Sequence, residues 1–287
     1  MKILSFGEIL WDVFPKERFI GGSPLNFAAH LAVMGEQVYM LSAVGKDGLG
    51  KDALNYLKSK NIGLDYVSKS DYPTGQSIIT IDDKNTPSYN LLSGVAYDYI
   101  PFYNDLPNFD VLYFGTMALR SQHNRQTLNK LLEHSFKEIF VDINIRPPYY
   151  SADAIDFALK NATVIKISLE ELPTVADLTN IPQKDDYGAF AKELQTRYTN
   201  LRCVLITLGE FGAYALDCAN GNGHFCPAVK ANAVSAVGAG DSFSAAFVHK
   251  YIKNEDIDDC LEFAAKIAAF VVENCEAVPD YNIKDFE

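Results

Sequence analysis

The sequence has 287 residues, 48% of them hydrophobic and 22% charged, with a formal net charge of −12. That length buries a sizeable core in one large or two small α/β units. The acidic balance argues against a nucleic-acid binder or a protein of anionic membrane surfaces, while leaving room for phosphates held by local backbone N–H groups. The cysteines (Cys203, Cys218, Cys226, Cys260, Cys275) contain no Cys-x-x-Cys pair, and the histidines lack metal-ligand spacing. No basic-then-apolar leader opens the chain, and no apolar run reaches the ~18 residues of a membrane span. A cytoplasmic protein without a disulfide scaffold or zinc site is expected.

In chain order, Lys2–Gly7 reads as a strand and Pro24–Met34 as a helix stopped by Gly35, with Phe27, Leu31 and Met34 on one face. Gln37–Val44 alternates as a strand, and Leu49–Lys60 reads as a helix ending near Asn61 and Gly63. Between Thr74 and Leu92 the pattern changes: Gln76–Ile81 and Ser88–Leu92 flank the turn-rich run Asp82–Asn85 as a hairpin. Strands then follow at Val111–Phe114, Glu138–Val141, Thr163–Ile167 and Cys203–Thr207. Helices separate them near Arg125–His134, Ala154–Leu159 and Tyr187–Tyr198, and the tail reads as two more, Gly240–Tyr251 and Asp256–Val272. Repeated β-α-β of this kind implies an α/β fold, a mostly parallel sheet with helices on both faces. With no internal repeat or linker, one domain over 1–287 carrying a small β lid is expected. Its ligands should bind beyond the C-terminal ends of the strands.

Several polar motifs stand at those ends. Gly238-Ala239-Gly240-Asp241 precedes an apolar helix, whose free N–H groups favour an anion beside an Asp able to take a proton from a hydroxyl. The competing reading is an N-cap Asp after a glycine turn. Gly21-Gly22-Ser23-Pro24-Leu25-Asn26 lets a hydroxylated ligand approach the backbone, or is a glycine turn with Pro near N1. Asp12 follows the first strand and is placed to accept from vicinal hydroxyls, unless it is a surface Asp. Arg146, in Asp142-Ile143-Asn144-Ile145-Arg146, suits a phosphate or is a solvated loop charge. Glu171 offers a Mg²⁺ ligand, directly or through water, or a first-turn Glu favoured by the helix dipole. Thr207-Leu208-Gly209-Glu210-Phe211-Gly212 offers a glycine-lined surface to nucleotide phosphates, or a simple turn. A Walker-type P-loop is absent.

In this order the motifs resemble the ribokinase-like (PfkB) family of carbohydrate kinases, over essentially the whole chain. The N-terminal signature is matched by Gly21–Asn26 through Gly35, Gly45 and Gly48, and the C-terminal one by Val237–Phe243. The Asp142–Arg146 run looks like the D-P-N-x-R element of fructokinase-type members. The resemblance implies a three-layer fold with a β lid from 74–92 and 12–20, ATP and Mg²⁺ as cofactors, and homodimer contact through the lid. It implies Asp241 as base, Gly238, Ala239 and Gly240 as anion hole, and Arg146 on the charge transferred. Asp12, Gly22, Asn26, Tyr89 and Asn144 would bind the sugar. Lys166, Thr207, Gly209, Gly212 and Asn274 would bind the nucleotide. Ser235 and Ala236 replace the family's D-T lead-in, which argues against K⁺ activation. Ser168 replaces the Asn of N-x-x-E, and the Tyr-x-Arg stretch of sugar-acid kinases looks like Tyr89-Asn90 here, without the Arg, favouring a neutral sugar. Fructokinase activity is the leading expectation. Ribose, a nucleoside or 2-keto-3-deoxygluconate are alternative acceptors, and a non-catalytic sugar- or nucleotide-binding protein is the alternative class.

Overall fold

The computed structural model describes residues 1–81, 87–182 and 186–286, and the side chains of all of these except 81 and 87–89. The expected turn at Asp82–Asn85 lies outside the described residues. The chain begins β1 (Lys2–Phe6), β2 (Leu10–Val13), β3 (Arg18–Gly21), α1 (Ser23–Val33), β4 (Gln37–Gly45), α2 (Gly48–Ser59) and β5 (Gly63–Ser70). It continues through β6 (Gly75–Ile81), β7 (Pro87–Leu91), β8 (Val111–Gly115), α3 (Gln122–Leu131), β9 (Glu138–Asp142), α4 (Ala152–Asn161) and β10 (Val164–Ser168). The remainder is α5 (Leu172–Thr179), α6 (Tyr187–Arg197), β11 (Cys203–Thr207), β12 (Ala213–Asp217), β13 (Asn222–Cys226), α7 (Ala239–Tyr251) and α8 (Ile257–Val272).

The large sheet runs β13-β12-β11-β10-β9-β8-β1-β4-β5 among the described residues. It is parallel from β11 to β5, and β12 and β13 close one edge antiparallel. Strand order reverses at β1, whose neighbours are β4 on one side and β8 on the other. At such a reversal the crossovers diverge to opposite faces and leave a crevice beyond the strand ends.

Alternate side chains feed alternate layers, as the two-residue period of a strand requires. Ile3, Tyr113 and Phe140 pack with Phe27 of α1, Phe247 of α7 and Ile267 of α8 on one face. Leu4, Phe114 and Val141 pack with Leu128 of α3, Ile155 of α4 and Leu194 of α6 on the other. The result is the expected three-layer α/β arrangement.

A second, four-stranded sheet has the order β3-β2-β6-β7. Its β2 and β6 pair in parallel, Leu10 opposite Gly75, and the outer pairs are antiparallel. Of the expected lid segments 12–20 and 74–92, residues 12–13, 18–20, 75–81 and 87–91 fall in its strands. The expected helices hold with shifted ends, the largest shift being α3. Ser121 caps that helix by accepting from Asn124 N, so it starts three residues before Arg125. The sequence reading did not identify β2, β3, β5, β12, β13 or α5. Strands such as β3 and β5 are only half-buried, so their residues do not alternate by polarity.

Candidate active site

Gly238 is the N-cap of α7, in the left-handed region at φ 81°. A Cβ there would lie 2.6 Å from the Ala277 carbonyl oxygen, so glycine is required on both counts. Asp241 is thus the third residue of the helix, not its N-cap, which removes the capping reading. Its carboxylate turns away from its own helix. Oδ1 accepts from Ser23 Oγ at 2.6 Å and Oδ2 from Asn26 Nδ2 at 2.8 Å. Since an ionised carboxylate only accepts, Ser23 spends its proton there and takes one from Tyr113 OH, 2.9 Å away. Asp241 is only half-buried by exposure. Even so, enough protein surrounds it that burial raises its pKa, with Ser23 and Asn26 opposing the rise.

Ser23 and Asn26 are presented by the first turn of α1, which begins after Gly22 at φ 113°. A Cβ on Gly22 would stand 2.5 Å from the Glu8 carbonyl oxygen. The turn therefore folds down onto the end of β1. Asp12 on β2 faces the same space. Its Oδ2 lies 3.0 Å from where a Gly21 Cβ would be. Burial raises its pKa, and a hydrogen bond from Ser77 and the charge of Arg146 oppose this. Arg146 is exposed, and its field reaches both Asp12 and Glu8. Asn144, left-handed at φ 40°, turns the chain between β9 and Arg146.

Beneath the Gly238–Asp241 turn lies a buried ion pair. Lys166 Nζ donates to Asp142 Oδ2 at 2.8 Å, and Ser244 Oγ of α7 donates to the same oxygen at 3.2 Å. Lys166 Nζ is also 3.4 Å from the position a Gly240 Cβ would take. Burial opposes its charge, but Asp142, Glu171 and Asp241 outweigh that, and its pKa is raised. Glu171 accepts from Ile145 N at 2.5 Å through one oxygen and from Ser168 N at 2.8 Å through the other. It ties the loop after β9 to the turn after β10.

Thr207 ends β11 beside this cluster, and Gly209 (φ 59°) and Gly212 (φ 118°) shape the turn that follows. Asn274 bonds back to Phe270 O on α8. Val234 and Val237, which lead into Gly238, are exposed. The side chain of Tyr89 lies outside the described residues; its backbone pairs with Ile79 in the small sheet.

Sequence reasoning singled out Asp241, Asn26, Gly22, Asp12 and Arg146; the structure joins Asn26 to Asp241, sets Gly22 at the start of the same helix, and brings the charge of Arg146 to bear on Asp12. It missed Ser23 as a donor to Asp241, the Lys166–Asp142 pairing, and Glu8, a carboxylate 4% exposed whose pKa burial raises to about 7. The signal for Glu8 was its position two residues past a buried strand, where a charged side chain needs a reason.

A family model described as pfkB family carbohydrate kinase matches residues 6–282. The chain is 25% identical to the ATP-dependent 6-phosphofructokinase of Thermoanaerobacterium thermosaccharolyticum, over 97% of this chain and 90% of that one. It is 26% identical to the 2-dehydro-3-deoxygluconokinase of Haemophilus influenzae, over 97% and 96%. Among solved structures, Vibrio cholerae fructokinase bound to fructose, ADP and calcium superposes with a TM-score of 0.84 at 18% identity, covering 99% of this chain and 98% of that one. The 2-dehydro-3-deoxygluconokinase of Thermotoga maritima gives 0.86 at 20%, covering 100% and 97%. At these identities the structural likeness shows the fold.

Proposed function

The chain belongs to the pfkB family of carbohydrate kinases and is a sugar kinase, and from that premise we propose that it transfers the γ-phosphoryl group of ATP to a hydroxyl of a neutral sugar, D-fructose being the first candidate. The observation that carries this is the position of Asp241. Its carboxylate is held by two donors from α1 while the N-terminal N–H groups of its own helix open onto the same crevice. The acceptor hydroxyl gives its proton to Asp241 as its oxygen attacks phosphorus. The helix N-terminus and Lys166, under Gly240, stabilise the charge on the phosphoryl group in flight. The charge of Arg146 reaches Asp12 and Glu8 and so bears on the same space. Asp12, Gly22, Asn26 and Asn144 hold the sugar, and Thr207, Gly209, Gly212 and Asn274 border the nucleotide. Exposed Val234 and Val237 offer its base an apolar rest.

Magnesium fits as an ion carried by the nucleotide. Among the described residues no three ligating side chains converge, and Mg²⁺ characteristically keeps phosphate and water ligands. Glu171, its oxygens already steadied by two backbone donors, has lone pairs left to hold such an ion through water. The ion would neutralise phosphate charge. Ser235 supplies no carboxylate for a monovalent cation, so K⁺ activation is not part of the proposal.

The small sheet acts as a lid, carrying Asp12 over the crevice and excluding water that competes with the sugar. Exposed Phe19, packed edge-on against Phe14, gives that sheet an apolar patch for a second copy. The five cysteines are free thiols, which suits a reducing cytoplasm. Among the described residues no helix is long and apolar enough to cross a membrane.

Preference for a neutral sugar rests on the crevice, which gathers Asp12, Glu8 and Asp241 and opposes a further carboxylate. An ATP-consumption screen over neutral hexoses, pentoses, nucleosides and sugar acids tests it. Turnover of D-fructose or another neutral sugar is expected, and preference for a sugar acid refutes it. Asp241→Asn should lower kcat by about 10²–10⁴-fold with the sugar KM changed only a few-fold.

A further inference from the structure

Two ionisable side chains at the strand reversal take no part in the transfer step above. Adjacent parallel strands β1 and β8 end together, Phe6 opposite Phe114. Glu8 follows the first and Arg120 the second, so both flank the crevice. Glu8 is 4% exposed, and the Arg120 side chain 7%. Each has one buried polar atom without a partner among the described residues, Glu8 Oε2 and Arg120 Nη1.

The rest of Arg120 is fully occupied. Nε and Nη2 bond Asp98, and Nη2 also donates to Tyr97 OH and to Leu92 O at the end of the small sheet. Its guanidinium is stacked between Tyr97 and Tyr149, whose hydroxyl holds Leu91 O. Tyr97 in turn lies against the Glu8–Ile9 segment: its Cε1 and the Ile9 carbonyl oxygen both approach within 3 Å of where a Gly75 Cβ would be. Glu8 Cγ is 3.2 Å from the corresponding point on Gly22. The two spare atoms therefore lie just beneath the surface between Gly22 and the root of the small sheet. Electrostatics agree with that placement. Burial raises the Glu8 pKa and Asp241 adds to the rise, while Arg146 and Arg120 oppose it.

Resting on the acceptor site assigned above, we propose that Glu8 and Arg120 together read one hydroxyl of the sugar, other than the one phosphorylated. A hydroxyl donates one hydrogen bond and accepts others, so it satisfies a carboxylate oxygen and a guanidinium N–H at once. A carboxylate substituent matches only Arg120 and meets repulsion from Glu8 once that carboxyl is ionised, above about pH 7; a deoxy position matches neither. Both atoms are closed to bulk water, so leaving them unmatched is costly, and the selectivity follows from that cost. The Glu8 carboxyl turns about its terminal torsion, which is broad and soft, to meet the hydroxyl as it arrives.

The test compares D-fructose, or whichever neutral sugar the screen finds, with its monodeoxy analogues, on wild type and Glu8→Gln. Sugar binding is followed by thermal shift without nucleotide, and turnover by kcat/KM. In wild type, one analogue besides that lacking the attacked hydroxyl should lose about 10- to 100-fold. Glu8→Gln should lose a similar factor on the parent sugar, lose nothing further on that analogue, and keep its KM for ATP. Equal losses on every analogue mean an internal water or a purely structural role and overturn the proposal. So does a wild-type panel in which no second hydroxyl matters, a result independent of how the variant folds. Turnover of sugar acids alone also overturns it, yet leaves the kinase assignment standing. If Asp12→Asn leaves sugar binding unchanged, it is the acceptor site itself that has been misplaced.

Discussion

Ser23 Oγ and Asp241 Oδ1 stand 2.6 Å apart although 218 positions separate them in the chain. With Asn26 on the other oxygen, the Asp241 carboxylate is aligned by helix α1 and not by its own loop. The bond also favours the ionised carboxylate, so it helps to set how readily Asp241 takes a proton.

Removing it has a signed consequence. Ser23→Ala deletes an influence that lowers the Asp241 pKa, so the pKa rises further. The acid limb of the kcat/KM profile should move to higher pH, with activity at neutral pH reduced about tenfold. An unmoved limb in a pH–rate series would mean that Asp241 is not the titrating base.

Lys166 separates folding from catalysis. Lys166→Met leaves Asp142 buried without its cation and should cost about 3–5 kcal/mol in urea melts. The double variant Lys166→Met/Asp142→Leu should regain much of that stability yet remain inactive. Recovery of activity along with stability would assign the pair to the core alone.

Glu8 makes stability depend on pH in an unusual direction. Its carboxyl is raised from 4.5 to about 7, so the native state holds the proton more tightly than the unfolded chain. No penalty exists below pH 4.5. It accumulates between pH 4.5 and 7 and is complete above, amounting to about 3 kcal/mol. Glu8→Gln should therefore gain stability relative to wild type as pH rises from 4.5 to 8, measured by chemical denaturation at each pH. A constant difference across that range contradicts the assignment.

Two glycines with similar φ make a controlled pair. Gly238 (φ 81°) faces the Ala277 carbonyl, while Gly35 (φ 85°) has open space around its missing Cβ. Gly35→Ala should cost about 1–2 kcal/mol of backbone strain and keep full activity. Gly238→Ala adds the clash to a similar strain, displaces the α7 N-terminus, and should lower kcat at least 100-fold by misplacing Asp241. Circular dichroism melts and initial rates on both variants give the comparison.

The α/β character was legible because buried parallel strands such as Val111–Gly115 are continuous apolar runs, readable without partners. The glycine turns were legible because positive φ leaves glycine few substitutes. The strands β2 and β3 were not. They are four residues each, and they become part of a larger sheet only when β6 arrives, Gly75 opposite Leu10 across 65 positions of chain. The site divided along the same line. Asp241 and Asn26 sit in local patterns, and a pattern in sequence suffices to flag them. Ser23 stood inside a recognised motif, but its bond to Asp241 exists only in space. Arg120 carries no local pattern, and Glu8 only its place two residues past a buried strand; what marks them both is a missing partner, visible only once neighbours are in place.

The two halves of the acceptor site are mounted on different bodies. Asp12 rides on the four-stranded sheet, whereas Ser23, Asn26 and Asp241 belong to the packed α1–α7 pair. Leu91 O and Leu92 O are pinned by Tyr149 and Arg120, and only Gly22 separates Gly21 of β3 from Ser23 of α1. On the reading proposed above, a tilt of the sheet would therefore be felt first at the turn that presents Ser23 and Asn26, which couples the grip on the sugar to the alignment of Asp241.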